Sequence, residues 1–285
     1  MSAIQNDTGW ERRPVDVDGL TFDVVLAGPE DGTPVVLLHG FPQTADSWAA
    51  VGDRLVAAGL RVVAPDQRGY SPGARPAETE AYAVENLVDD VTGLMDALGL
   101  DSAHVVGHDW GAAVAWALAA HHPDRVRSLV ALSVPHLAAY GWALVHDEDQ
   151  QERASYIKLF RKPGKAEDVL LEDGARRLRA MYGDTVPAER VASYVEALGE
   201  REALTAALSW YRAMGRDLDA TPTVTVPTTY VWGDADWALG PVGARRCGEH
   251  VEAEYRFVPV RGASHWLPEE FPDLVAEEIV TRVRG

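Results

Sequence analysis

Five residues constrain this chain more than any others: Gly107-His108-Asp109-Trp110-Gly111. An apolar run, His104-Val105-Val106-Gly107, leads into them, and a helical stretch from Ala112 to His122 leads out. A strand that turns abruptly into a helix needs glycines, because the bend is strained and the backbone passes close to its neighbours. Small residues after it (Gly111, Ala112, Ala113, Ala115) let the helix pack tightly on a sheet. The spacing is that of a Gly-x-Ser-x-Gly turn with aspartate in the serine's place.

The rest of the chain supplies a sheet for that turn to sit on. Val15 to Leu26 alternates loosely around Asp18-Gly19 and reads as an opening hairpin. Short apolar runs follow at Pro34–Leu38, Arg61–Asp66, His104–Gly107, Ser128–Val134, Thr228–Trp232 and Tyr255–Val258. Such runs suit strands covered on both faces. Helical patterns lie between them: Leu87, Val91, Leu94, Met95 and Leu98 share one helix face, and Pro272 to Arg284 closes the chain as another helix. Alternation of this kind predicts an α/β fold, a mostly parallel sheet with helices on both faces.

One stretch departs from it. From about His136 to Ala220 the sequence is helical and charge-rich, bounded by Pro135 on one side and by Pro222 and Pro227 on the other. We read residues 136–220 as a helical cap inserted into a core made of residues 1–135 and 221–285. An insertion there is expected over the strand ends, where open α/β sheets bind ligands.

Composition narrows the partners. The net charge of −18 repels polyphosphate backbones, so nucleic acid is not expected. No apolar run approaches the roughly 20 residues of a membrane-spanning helix. Met1 to Arg13 is polar, unlike a secretory signal, and Cys247 is the only cysteine. A cytoplasmic monomer or homodimer without metal or organic cofactor is the economical expectation.

Aspartate at the bend changes the chemistry available. Serine must lose a proton as it attacks, whereas an aspartate with pKa near ~3.9 is already ionised. Attack on an ester would give only a reactive anhydride. Attack on a saturated carbon bearing a leaving group gives an alkyl ester that water can cleave. A histidine is then free to activate that water. In the chain order nucleophile, acid, histidine, Asp236 in Val231-Trp232-Gly233-Asp234-Ala235-Asp236 and His265 in Gly262-Ala263-Ser264-His265-Trp266 follow Asp109. Asp234 is the rival for the acid. His39-Gly40-Phe41-Pro42 ends the first parallel run, so the N–H groups of Phe41 and Trp110 are candidates for an oxyanion hole.

These residues resemble the α/β-hydrolase fold family, and within it the epoxide hydrolase branch, over nearly the whole chain. The resemblance rests on His39-Gly40-Phe41-Pro42, Asp66-Gln67-Arg68-Gly69-Tyr70, Gly107–Gly111, Val134-Pro135-His136 and His265-Trp266. It implies a cis Phe41-Pro42 bond, two cap tyrosines that protonate the epoxide oxygen, and substrate contacts from His39, Pro42 and Trp266. Ser209-Trp210-Tyr211-Arg212 is similar to the branch's Asn-Trp-Tyr-Arg, with serine as a departure, and points to Tyr211. Ser155-Tyr156 before Phe160 and Pro163-Gly164 points to Tyr156, with Tyr182 and Tyr140 as substitutes. Tyr211 also shares a helix face with Leu204, Ala207 and Leu208, which is the pattern of core packing. Trp48, Trp142 and Leu267 are further candidates for the pocket wall.

The implied activity is hydrolysis of a small epoxide to a diol. Haloalkane or haloacid dehalogenation with the same Asp-His-Asp set is the alternative: Gln43 after His-Gly-Phe-Pro is similar to fluoroacetate dehalogenases, but these carry Arg where this chain has Trp110. A receptor that has lost catalysis is a third, and such loss normally erases a catalytic residue. Here none is erased.

Overall fold

The computed structural model describes residues 4–5, 10–215 and 218–285, with the side chains of 4, 5 and 219 left aside. Its centre is a nine-stranded sheet. The strands are β1 (Ile4–Gln5), β2 (Glu11–Val17), β3 (Leu20–Ala27), β4 (Thr33–Leu38), β5 (Leu60–Pro65), β6 (Ala103–His108), β7 (Val126–Leu132), β8 (Thr228–Gly233) and β9 (Tyr255–Val260). Their order across the sheet is β1-β2-β3-β5-β4-β6-β7-β8-β9. The pairs from β1 to β5 along that order are antiparallel, and every pair beyond is parallel. The hairpin expected at Asp18-Gly19 forms, both residues taking positive φ (47° and 81°), as a tight two-residue turn requires.

Helices α1 (Ala49–Ala57), α2 (Val84–Ala97) and α3 (Trp110–His121) connect the first strands. Between β7 and β8 come α4 (Leu137–His146), α5 (Glu148–Arg153), α6 (Ile157–Phe160), α7 (Lys165–Ala180, broken by non-helical backbone at Glu172–Ala175), α8 (Ala188–Leu198) and α9 (Arg201–Ala213). Helices α10 (Pro241–Arg246), α11 (Leu267–Glu270) and α12 (Pro272–Arg284) finish the chain. Central strands β6 and β8 are buried at all six positions because helices cover both faces. One apolar cluster joins Val51, Leu55, Val275 and Ile279 from α1 and α12 to one face. The other joins α2, α3 and much of the α4–α9 segment.

Strand order reverses around β4, which lies between β5 and β6 although it precedes both. Chains leaving β4 and β6 therefore diverge and open a crevice at their carboxyl ends. Aromatic side chains of α6 and α9 fill the roof of that crevice: Phe160 and Tyr211 lie on Phe41, and Trp210 and Tyr211 on Trp110. Indole Nε1–H of Trp210 also donates to the Arg68 carbonyl (2.8 Å), tying α9 to the loop after β5. Among the described residues no helix is long and apolar enough to cross a membrane.

Candidate active site

Asp109 stands at the β6–α3 junction with φ 52° and ψ −119°, a strained backbone for a residue with a side chain. The flanking glycines explain how the bend closes. A Cβ on Gly107 would lie 2.2 Å from the Gly111 carbonyl oxygen, and one on Gly111 would lie 2.0 Å from that of Leu38. Only hydrogen fits at either place. The result is a carboxylate pushed out of the bend and against the β4 loop.

There Phe41 N–H donates to Asp109 Oδ1 at 2.8 Å, and the Trp110 N–H further favours the carboxylate's charged form. The Phe41-Pro42 bond is cis. The other oxygen, Oδ2, faces His265 Nε2 at 3.4 Å. His265 Nδ1 in turn meets Asp236 Oδ2 at 2.8 Å. Asp236 is held by its Oδ1, which accepts from the N–H groups of Ala238 (2.8 Å) and Leu239 (3.1 Å). Asp234 does a different job: exposed, it accepts from Gly262 N–H at 2.6 Å and ties β8 to the loop carrying His265.

All three members of this chain are buried, so their charges govern one another. Burial opposes a charge on His265, yet the Asp236 and Asp109 carboxylates outweigh it and push its pKa up to about 10. Burial likewise works against the Asp109 anion, but the His265 hydrogen bond and charge hold it below the usual carboxylate range. The resting site is thus an imidazolium between two carboxylates.

A cavity of about 360 Å3 reaches Asp109 between α3 and the helical segment. Trp110, Tyr140, Tyr156 and Tyr211 line it. The rings of Tyr156 and Tyr211 stand 6.2 Å apart and nearly perpendicular. Burial first, and then neighbouring phenol and Asp109 charge, raise both well above the usual phenol value, so both are protonated at neutral pH. The helix-face pattern of Tyr211 and its place in the cavity are compatible: α9 buries Leu204 and Leu208 while Tyr211 sits between Phe41, Trp110 and Phe160. Tyr140 also lines the cavity. Tyr182 is otherwise engaged, its hydroxyl donating to the Pro42 carbonyl at 2.6 Å.

His39, Pro42 and Trp266, the residues expected to touch substrate, are not among those lining this cavity. His39 is fully buried, its Nε2 accepting from Gln67 N–H (3.1 Å) and its Nδ1 donating to the Gly40 carbonyl (3.0 Å). It braces the β4 loop from behind. Pro42 offers its carbonyl to Tyr182, and Trp266 stands edge-on to His265 beside a second, shallower cavity. Trp48 and Leu267 belong to the core on the α1–α12 face of the sheet, remote from the cavity. Trp142 is part-exposed, stacked on His146 under the Arg246 guanidinium.

Two features of the site went unread in the sequence. Trp237 packs against both His265 and Tyr156, at 5.9 and 5.3 Å between ring centroids. A buried polar chain also runs under the histidine: Tyr194 to Glu269, Glu269 to Gln43, Gln43 to His108 Nδ1 (2.9 Å), and His108 Nε2 to the His265 carbonyl (2.8 Å). Gln43 and His108 sit in the motifs, but nothing in Pro268-Glu269-Glu270 marks the first acid as half-buried with its carboxyl tip enclosed.

Comparison with known proteins agrees with this layout. The family model for the alpha/beta hydrolase fold matches residues 33–272. Epoxide hydrolase A of Mycobacterium tuberculosis is 36% identical, the match covering 96% of this chain and 97% of that protein. The AB hydrolase superfamily protein YfhM of Bacillus subtilis is 37% identical over 95% of this chain and 97% of its own. The crystal structure of epoxide hydrolase A from Mycobacterium thermoresistibile superposes with a TM-score of 0.86 at 33% identity, covering 97% of this chain and 98% of that one. By sequence and by architecture, the chain belongs to the α/β-hydrolase fold family.

Proposed function

We propose that the protein hydrolyses epoxides to diols, with Asp109 as nucleophile and an alkyl ester as intermediate. One observation carries the reading: a free carboxylate oxygen and two protonated phenols open onto one cavity, with a charged histidine behind the carboxylate. Residues 136–220 act as the cap that supplies the phenols and excludes water, and the relatives named epoxide hydrolase support the same assignment.

Asp109 Oδ2 forms a bond to one ring carbon as the strained carbon–oxygen bond breaks. The departing oxygen would be a strongly basic alkoxide, and Tyr156 and Tyr211 hold it and give it a proton. Esterification cancels the Asp109 charge, one of the two carboxylates that kept the proton on His265. Burial then favours the neutral ring, whose proton restores the tyrosine. Neutral His265, oriented by Asp236, takes a proton from water as that water attacks the ester carbonyl. Negative charge gathers on Oδ1, to which the Phe41 N–H already donates, and the Trp110 N–H that favours the resting carboxylate is the second donor for it. Collapse releases the diol and restores carboxylate and imidazolium.

Halide departure would need N–H donors and no proton, which leaves both phenols idle. Purified protein is tested against matched panels of epoxides and alkyl halides, scoring diol and halide. Diol without halide release supports the reading; halide release without diol rejects it.

A further inference from the structure

The cavity at Asp109 has a direction. Four of its lining residues, Trp110, Ala113, Ala117 and His121, recur at i, i+3, i+7 and i+11 and so form one stripe along α3. Asp109 at the buried end is 7% exposed, while His121 at the other end is open to solvent. Eleven residues of helix span about 16 Å. Along that length α3 contributes two buried alanines, and the facing wall brings Leu137, Ile157 and Met214. Two polar lining residues, Glu85 and His121, are exposed to solvent.

We propose that this channel holds the substrate's tail: an apolar chain of about a dozen carbons at bond lengths near ~1.5 Å, borne on the epoxide, with its far end emerging beside His121. Ala113 and Ala117 are the specificity-determining residues, since a leucine at either place projects into the channel between Asp109 and His121. The inference rests on the epoxide reading above.

The test is a chain-length series of terminal epoxides, from butane through hexane, octane and decane to dodecane, with purified protein. Each buried methylene is worth up to roughly fourfold in kcat/KM, so the wild-type value rises with length until the channel is full. Ala117→Leu and Ala113→Leu should each end that rise early. The Ala113 site lies one turn nearer Asp109, about 6 Å, so its cutoff should come some four or five carbons sooner. Should the leucine variants fold poorly and lose all turnover, Ala113→Val and Ala117→Val must keep the same order of cutoffs. Equal cutoffs, or a wild-type value indifferent to length, overturn the channel assignment. A wild type inert toward every epoxide overturns the proposed function instead.

Discussion

Glu269→Gln should remove a pH dependence from the protein's stability. Glu269 is enclosed at the head of the polar chain under His265, and burial raises its pKa from the ordinary 4.5 to about 7. His108, further along, is lowered to about 4 by burial and by the His265 charge, so it is neutral. The Gln43 Nε2–H and the Tyr194 hydroxyl both donate to Glu269 Oε1, but enclosure of the carboxyl outweighs these two donors. Folding thus favours the acid form, and unfolding releases it to ionise. Stability attached to this proton is full below about pH 4.5 and is lost as pH rises through about 7. The gap of some 2.5 units corresponds to about 3 kcal/mol. A glutamine at 269 is uncharged at every pH and still accepts from Gln43 and Tyr194 through its carbonyl oxygen. Urea unfolding of both proteins between about pH 5 and about pH 8 tests this: the wild type should lose up to ~3 kcal/mol relative to the variant. A difference between the two that stays constant across that range refutes the raised pKa of Glu269.

Three further outcomes follow from the geometry. Tyr211→Phe, and separately Tyr156→Phe, should slow single-turnover ring opening by something like 10²-fold while the protein stays folded. Gly111→Ala puts a methyl 2.0 Å from the Leu38 carbonyl oxygen and should cost at least ~3 kcal/mol in urea unfolding, or prevent soluble expression. Glu167→Gln strips the charge partner from Arg212, a pair with side chains 2% and 6% exposed, and should cost about 3 kcal/mol in the same assay.

Much of this molecule was legible before any coordinates. Gly107 to Gly111 announced the bend because only close backbone contact demands two glycines around a polar residue. The order Asp109, Asp236, His265 followed from strands ending where a site must lie. Choosing Asp236 over Asp234 did not, since both follow β8 and only the chain path shows one facing His265 and the other facing Gly262. Trp48 and Leu267 were misjudged as pocket residues because period-two and short-helix patterns do not say which face of the sheet a helix covers. The bracing role of His39 was not legible for another reason: a motif marks a residue as necessary without saying whether it touches the ligand or holds the loop that does. Glu269 was invisible, as two adjacent glutamates in a polar turn read as surface until packing buries one.

The account stands on a covalent bond forming at Asp109, and mass spectrometry of the intact His265→Gln protein tests it most directly. With an epoxide it turns over in the wild type, the variant should gain the full mass of that epoxide, on a peptide containing Asp109. Diol production at the wild-type rate with no added mass would contradict it.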